Sequence, residues 1–129
     1  MALSTLADGT SIFVENIFEN RFKHALELTK MGADITIEGK VAVVNGVSEL
    51  SGASVKATDL RGGAAMVVAA LAANGTTTLS ELQHIDRGYE RLEQNLCRLG
   101  AEITRIHQPT GATEYEGQNK TQNLEYQTG

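Results

Sequence analysis

Leu28-Thr29-Lys30-Met31-Gly32-Ala33-Asp34-Ile35 and Leu96-Cys97-Arg98-Leu99-Gly100-Ala101-Glu102-Ile103 are two copies of one eight-residue phrase. Four of the eight positions are identical, and the Lys/Arg, Met/Leu and Asp/Glu exchanges are conservative. Upstream, Gly9-Thr10 lies over Gly75-Thr76, Glu15 over Glu81 and Arg21 over Arg87, all 66 residues apart, before a two-residue insertion. Self-similarity at two linked stretches marks a repeated unit rather than two unrelated segments.

Each copy predicts the same order of elements. A Gly-Thr pair opens a strand, over residues 10–15 and 76–82, rich in β-branched and apolar residues. A loop carrying an arginine follows, then a helix. Its apolar stripe is Ala25, Leu28 and Met31 in the first copy, and Tyr89, Leu92, Leu96 and Leu99 in the second. Gly32 and Gly100 fall where a helix ends on a left-handed residue. Strands follow over 34–38 and 102–106. Between the copies, Gly39-Lys40 joins the first of these to a strand at 41–44, and Asn45-Gly46 signals a turn. A short strand near 54–57 leads to Thr58-Asp59, which is expected to cap a helix from about Arg61 to Ala73. That helix is apolar on most faces and should be buried.

Leu6-Ala7-Asp8-Gly9 matches Ala72-Ala73-Asn74-Gly75, the end of that buried helix. Residues 1–8 therefore read as a helix tail, and the chain as the C-terminal piece of a longer repeat protein, truncated at its N-terminus. The domain so read covers 1–106. Residues 107–129 are polar and aperiodic and are expected to be disordered.

Arg21, Arg61 and Arg87 all sit at or just before an expected helix start. A helix start carries partial positive charge and free N–H groups, so a guanidinium there adds cation to cation. An incoming phosphate or carboxylate resolves the conflict. The expectation is that the three arginines converge on one anion pocket. Against it stands plain surface pairing with Glu19, Asp59 and Asp86, and Asp86 itself reads as a helix N-cap.

Composition narrows the function classes. A 129-residue chain that is 41% hydrophobic can form one packed core. No apolar run approaches the roughly 18 residues of a membrane span, and nothing at the N-terminus resembles a secretory signal. Cys97 is the sole cysteine, which fits a reducing cytoplasm and excludes an internal disulfide. A net charge of −5 without a basic stripe argues against nucleic acid and anionic membranes as partners. His24 and His84 lack metal-ligand spacing. Cys97 is expected to be a half-buried helix residue rather than a nucleophile.

Phe18-Glu19-Asn20-Arg21-Phe22, Ala57-Thr58-Asp59-Leu60-Arg61 and His84-Ile85-Asp86-Arg87-Gly88-Tyr89-Glu90-Arg91, in this order, resemble the UDP-N-acetylglucosamine enolpyruvyl transferases (UDP-N-acetylglucosamine 1-carboxyvinyltransferases). Lys30 to Asp34 and Leu50 to Ala53 also fit, so the resemblance covers about residues 3–106. It implies an α/β fold, the inside-out α/β barrel or prism, with about two repeat units of the C-terminal lobe present here. It implies transfer of the enolpyruvyl group of phosphoenolpyruvate to the 3-hydroxyl of UDP-N-acetylglucosamine, with phosphate release and no cofactor, in peptidoglycan precursor synthesis.

Carried over by motif, Arg61 and Arg87 match arginines that meet the phosphoenolpyruvate phosphate and carboxylate, and Arg21 a third arginine of the closed cleft. Asp59 and Leu60 flank Arg61, and Ile17 matches an aliphatic position whose backbone contacts the sugar nucleotide. The family's catalytic cysteine loop and early Lys-Asn pair have no counterpart here, and its aspartate near the sugar hydroxyl would precede Met1. No catalytic residue is expected in this segment, which alone should be inactive. Gly62-Gly63 replaces small residues more usual after Arg61. Two other readings stay open: a non-catalytic sugar-nucleotide or phosphate-binding module with the same fold, and a half-lobe that self-associates through exposed apolar faces.

Overall fold

A computed structural model describes residues 1–107 and 122–128. After a short 3-10 turn at Leu3–Leu6, strand β1 (Thr10–Val14) runs antiparallel to β3 (Val41–Asn45), which also pairs with β2 (Asp34–Glu38). Helix α1 (Lys23–Lys30) connects β1 to β2. The second sheet orders β4 (Ser54–Lys56), β5 (Gly75–Ser80), β7 (Gln122–Thr128) and β6 (Ile103–His107), with β4 parallel to β5 and the other pairs antiparallel. Helix α2 (Leu60–Ala72) crosses from β4 to β5. Two short helices, α3 (Gln83–Asp86) and α4 (Leu92–Arg98), precede β6.

The repeat predicted from sequence is visible in the backbone. Gly9, just ahead of β1, and Gly75, the first residue of β5, take φ of 104° and 89°, and Gly32 and Gly100 take 95° and 99° behind α1 and α4. A side chain at such φ is strained, which is why glycine recurs at these four places. The order β1-β3-β2 is matched by β5-β7-β6, so each sheet seats a third strand between the two that the eight-residue phrase links.

That match corrects the expectation of a disordered 107–129. Residues 122–128 form β7, and His107 closes β6. Their register, Ile103 opposite Tyr126 and Leu79 opposite Leu124, is carried by ladder hydrogen bonds, so apolar periodicity is not required to recruit the strand. Residues 108–121 and 129 lie outside the described residues.

The core gathers where helices meet sheets. Leu28 of α1 and Met31 at its C-cap, Leu50, and Met66 from α2 are fully enclosed, joined by Leu79 and Ile85. Burying a side chain of this size contributes about 1.5–3 kcal/mol. Ala25, Leu28 and Met31 all reach the interior, as their spacing predicts. The second stripe is weaker: Tyr89, Leu92 and Leu96 are half-buried against the core, but Leu99 is 84% exposed. The α4 helix begins only at Leu92 because Arg91 turns the chain through a left-handed residue, φ 47°. Asn45-Gly46 makes no hairpin; Gly46 instead donates to the Gly9 carbonyl at 2.9 Å as the chain leaves β3. Cys97 is exposed, not half-buried.

Candidate functional site

Three segments meet at the first turn of α2. Asp59 caps that helix, accepting the Gly62 N–H at 2.8 Å, as the sequence predicts. The start of α1 lies beside it: a Cβ at Gly62 would come within 3.3 Å of His24 Cβ. The α3–α4 connector approaches from another side: a Cβ at Gly88 would meet Leu60 Cδ1 at 2.6 Å. A side chain after Arg87 would have to push the Leu60 methyls aside for the connector to sit this close to the residue before Arg61. Gly63 has the same meaning, since a Cβ there would lie 2.7 Å from Ile85 Cγ1 on α3.

The β1–α1 loop delivers Ile17 and Arg21. Glu15, at its start, accepts N–H bonds from Ile17 at 2.9 Å and Phe18 at 3.1 Å. Those two bonds hold its carboxyl below the ordinary value, with Arg21 and Arg61 adding to the effect. Asn20 turns the loop with φ 54°, and the Arg21 guanidinium settles over the Phe18 ring, 4.7 Å from its centroid.

Asp59 is the electrostatic hub. Burial pushes its carboxyl upward, but the N–H groups of Gly62 and Arg61, then Arg21 and His24, outweigh burial and hold it below the ordinary value. Burial pushes His24 down, opposed by the Asp59 charge. The charges of Arg21 and Arg61 both act on Glu15, although they lie far apart in sequence, and that of Arg21 acts on Asp59 as well.

None of the three arginines forms an ion pair among the described residues. Asp86, the expected partner of Arg87, is taken by Arg105 of β6. The expectation that Asp86 caps a helix start is also corrected: it is the last residue of α3, and Arg87 is the C-cap. A cation suits the negative end of a helix, so Arg87 carries no conflict with its own helix. Arg61, by contrast, stands in the first turn of α2, and Arg21 two residues ahead of α1.

A cavity of about 630 Å³ opens between the β1–α1 loop, Leu26 and Ile37, and the Gly39–Lys40 turn. Ile17 and Arg21 line it; Asp59, Leu60, Arg61 and Arg87 do not. The structure thus sets Arg21 within the field of Asp59, beside Leu60 and Arg61, and brings the backbone after Arg87 against Leu60, while Ile17 and Arg21 alone of the six line this cavity. Phe18, Lys23 and Lys40, which also line it, were not singled out by sequence. Lys40 arrives through a backbone bond, Glu15 N–H to the Lys40 carbonyl at 2.8 Å, that no motif encodes.

The sequence profile of the family described as EPSP synthase (3-phosphoshikimate 1-carboxyvinyltransferase) matches residues 1–96. The chain belongs to the EPSP synthase family. Within that family it is 56% identical over 109 residues to a UDP-N-acetylglucosamine 1-carboxyvinyltransferase of Trichlorobacter lovleyi, covering 84% of this chain and 26% of that protein. It is 57% identical over 106 residues to a protein of the same name from Geobacter metallireducens, covering 82% and 25%. The chain spans about a quarter of the length of these curated relatives.

Among solved EPSP synthase family folds, the enolpyruvyl transferase NikO from Streptomyces tendae superposes with a TM-score of 0.73 at 37% identity, over 78% of this chain and 24% of that one. EPSP synthase from Acinetobacter baumannii superposes at 0.60 and 17% identity, over 95% and 26%, which speaks for the fold alone. The expected enolpyruvyl-transferase fold, mixed sheets and helices in repeated units, is therefore the observed one. Among the described residues, no helix is long and apolar enough to cross a membrane, and no cluster of three or more His, Cys, Asp or Glu could hold a metal ion.

Proposed function

We propose that the protein transfers the enolpyruvyl group of phosphoenolpyruvate to the 3-hydroxyl of UDP-N-acetylglucosamine, releasing phosphate, in the cytoplasmic synthesis of peptidoglycan precursors. This segment supplies one anion-binding wall of a cleft whose other wall comes from the rest of the full-length enzyme. The observation that carries the reading is the set of three guanidiniums, unpaired among the described residues, on three segments that meet around Asp59.

The chemistry calls for such a set. Phosphoenolpyruvate brings a phosphate and a carboxylate, and a planar guanidinium grips either oxyanion with two parallel bonds. In the transfer, the sugar hydroxyl oxygen bonds to the enol carbon, the bond from that carbon to the phosphate oxygen breaks, and the hydroxyl proton leaves. Negative charge grows on the departing phosphate, where fixed cations lower the barrier. Arg61 and Arg87 take the phosphate and carboxylate, and Arg21 closes over them from the β1–α1 loop. The Ile17 N–H already serves Glu15, so its carbonyl is the group left to meet the sugar nucleotide.

A chimaera in which this segment replaces the matching quarter of the Geobacter metallireducens relative tests the proposal. It should release phosphate only when both substrates are present. Arg61→Ala and Arg87→Ala should each raise KM for phosphoenolpyruvate roughly 10- to 100-fold, the scale of a charged hydrogen bond. The 129-residue chain alone should release none. Sugar-nucleotide binding without phosphate release in the chimaera would favour the non-catalytic module instead.

A further inference from the structure

Arg105 lies outside every motif quoted above, yet its side chain is only 23% exposed and bridges two carboxylates. One arm donates to Asp86, the last residue of α3, and the other reaches Glu93 in the first turn of α4 at 3.5 Å. Between those two acids runs the connector that carries Arg87. We infer that Arg105 is a positioning residue for the anion site: it ties the two ends of the Arg87 connector together and neutralises the carboxylates that flank it.

The argument is geometric and electrostatic. Backbone bonds from Gly88 and Tyr89 to the Ile85 carbonyl and an Asn95 bond to the Glu90 carbonyl fix parts of the connector, but the Arg105 side chain is what joins its two ends to each other and to β6. Glu93 is 14% exposed, so without Arg105 it becomes an ion with little solvent and no partner. Arg87 would then stand between two unopposed negative charges, and an incoming anion would meet repulsion where it now meets net attraction. Lysine could not replace the fork, because a point ammonium does not hold two acids in fixed relation. The Nε–H of Arg105 is buried with no hydrogen-bond partner among the described residues, so its two terminal nitrogens carry the bridge.

The inference rests on the proposed role of Arg87, and its test keeps the two separable. In the chimaera, Arg105→Gln should raise KM for phosphoenolpyruvate roughly three- to ten-fold, with a smaller change in kcat. Adding Asp86→Asn, which removes one stranded charge, should recover part of that loss. A purely structural Arg105 would lower Tm and leave KM unmoved, or leave it unrecovered in the double variant; either result overturns the inference. In the 129-residue chain, the Arg87 Nε–H resonance should shift on Arg105→Gln. An unchanged resonance overturns the inference whether or not the chimaera turns over, whereas an inactive chimaera with a shifted resonance overturns only the proposed reaction.

Discussion

Replacing Asp59 separates a helix cap from a charge. Asp59→Ala removes the oxygen that accepts the Gly62 N–H at 2.8 Å and leaves that donor at a buried glycine. Loss of an N-cap costs about 0.5–2 kcal/mol, and burial of the stranded donor places this site in the upper half of that range. With a urea m-value of about 1–3 kcal/mol/M, the midpoint should fall by roughly 0.4–2 M at unchanged slope. Asp59→Asn keeps an equivalent acceptor and should lose much less. The pH dependence isolates the charge. The Asp59 carboxyl is held low in the folded chain, so its contribution is complete above the ordinary carboxylate range and is lost as pH falls through the folded value. Asp59→Asn should abolish that acid-side loss.

His24 shifts in the same direction, by burial and not by hydrogen bonds. Burial lowers its folded value, so the unfolded chain takes up that proton first as pH falls below about 6.5, and stability drains through that window. Asp59 opposes the shift, so Asp59→Asn should deepen the loss there. Urea titrations of the three chains at pH 7, 5.5 and 3.5 make the comparison. If the asparagine variant is as unstable as the alanine variant at pH 7, the cap is not what Asp59 contributes, and the reasoning fails.

Three further outcomes can be measured on the same chain or on the chimaera. Gly63→Val should cost roughly 1–3 kcal/mol by urea titration, because its Cβ would meet Ile85 Cγ1 at 2.7 Å and Ala57 Cβ at 3.0 Å; Gly63→Ala should cost less, as about 1 kcal/mol of helix propensity is regained. Phe18→Leu removes the ring beneath Arg21 and about 0.5–1 kcal/mol of cation–π attraction, so KM for phosphoenolpyruvate in the chimaera should rise a few-fold while Tm holds. Leu28→Ala empties a fully buried position and should cost about 2–5 kcal/mol, read as a lower unfolding midpoint.

Much of the fold was legible because the repeat writes the same physics twice. Glycine at the four positive-φ positions that the repeat shares, apolar spacing in α1 and the Asp59 cap are local demands that a short window of sequence must meet. The tail was not legible for the complementary reason. A strand inserted between β5 and β6 is recruited by backbone bonds whose partners lie far away in sequence, and Gln122–Thr128 shows no periodicity strong enough to announce it. The topology could have announced it: β3 already occupied the equivalent slot in the first unit, and a repeat that places β5 and β6 leaves the same gap open. Reading the repeat as a set of pairing demands, and not only as matched residues, would have asked residues 107–129 for one more strand.

The site divides along the same line. That Arg61 follows a cap and Arg21 precedes a helix could be read locally, and both placements hold. Arg87 could not be placed this way, because Asp-Arg-Gly before an apolar stripe is written alike for a helix beginning and for one ending. What decides is Arg105, 18 residues on, which takes the carboxylate that would otherwise have been read as the cap or as the partner of Arg87. The motif around Arg87 therefore has its meaning fixed by a residue outside the motif. A search for candidate anion sites that counts only arginines near helix starts would pass over Arg87, whose role as an anion-binding residue is the proposal above. One that asks which neighbouring acids are already engaged would find both Arg87 and the residue that leaves it available.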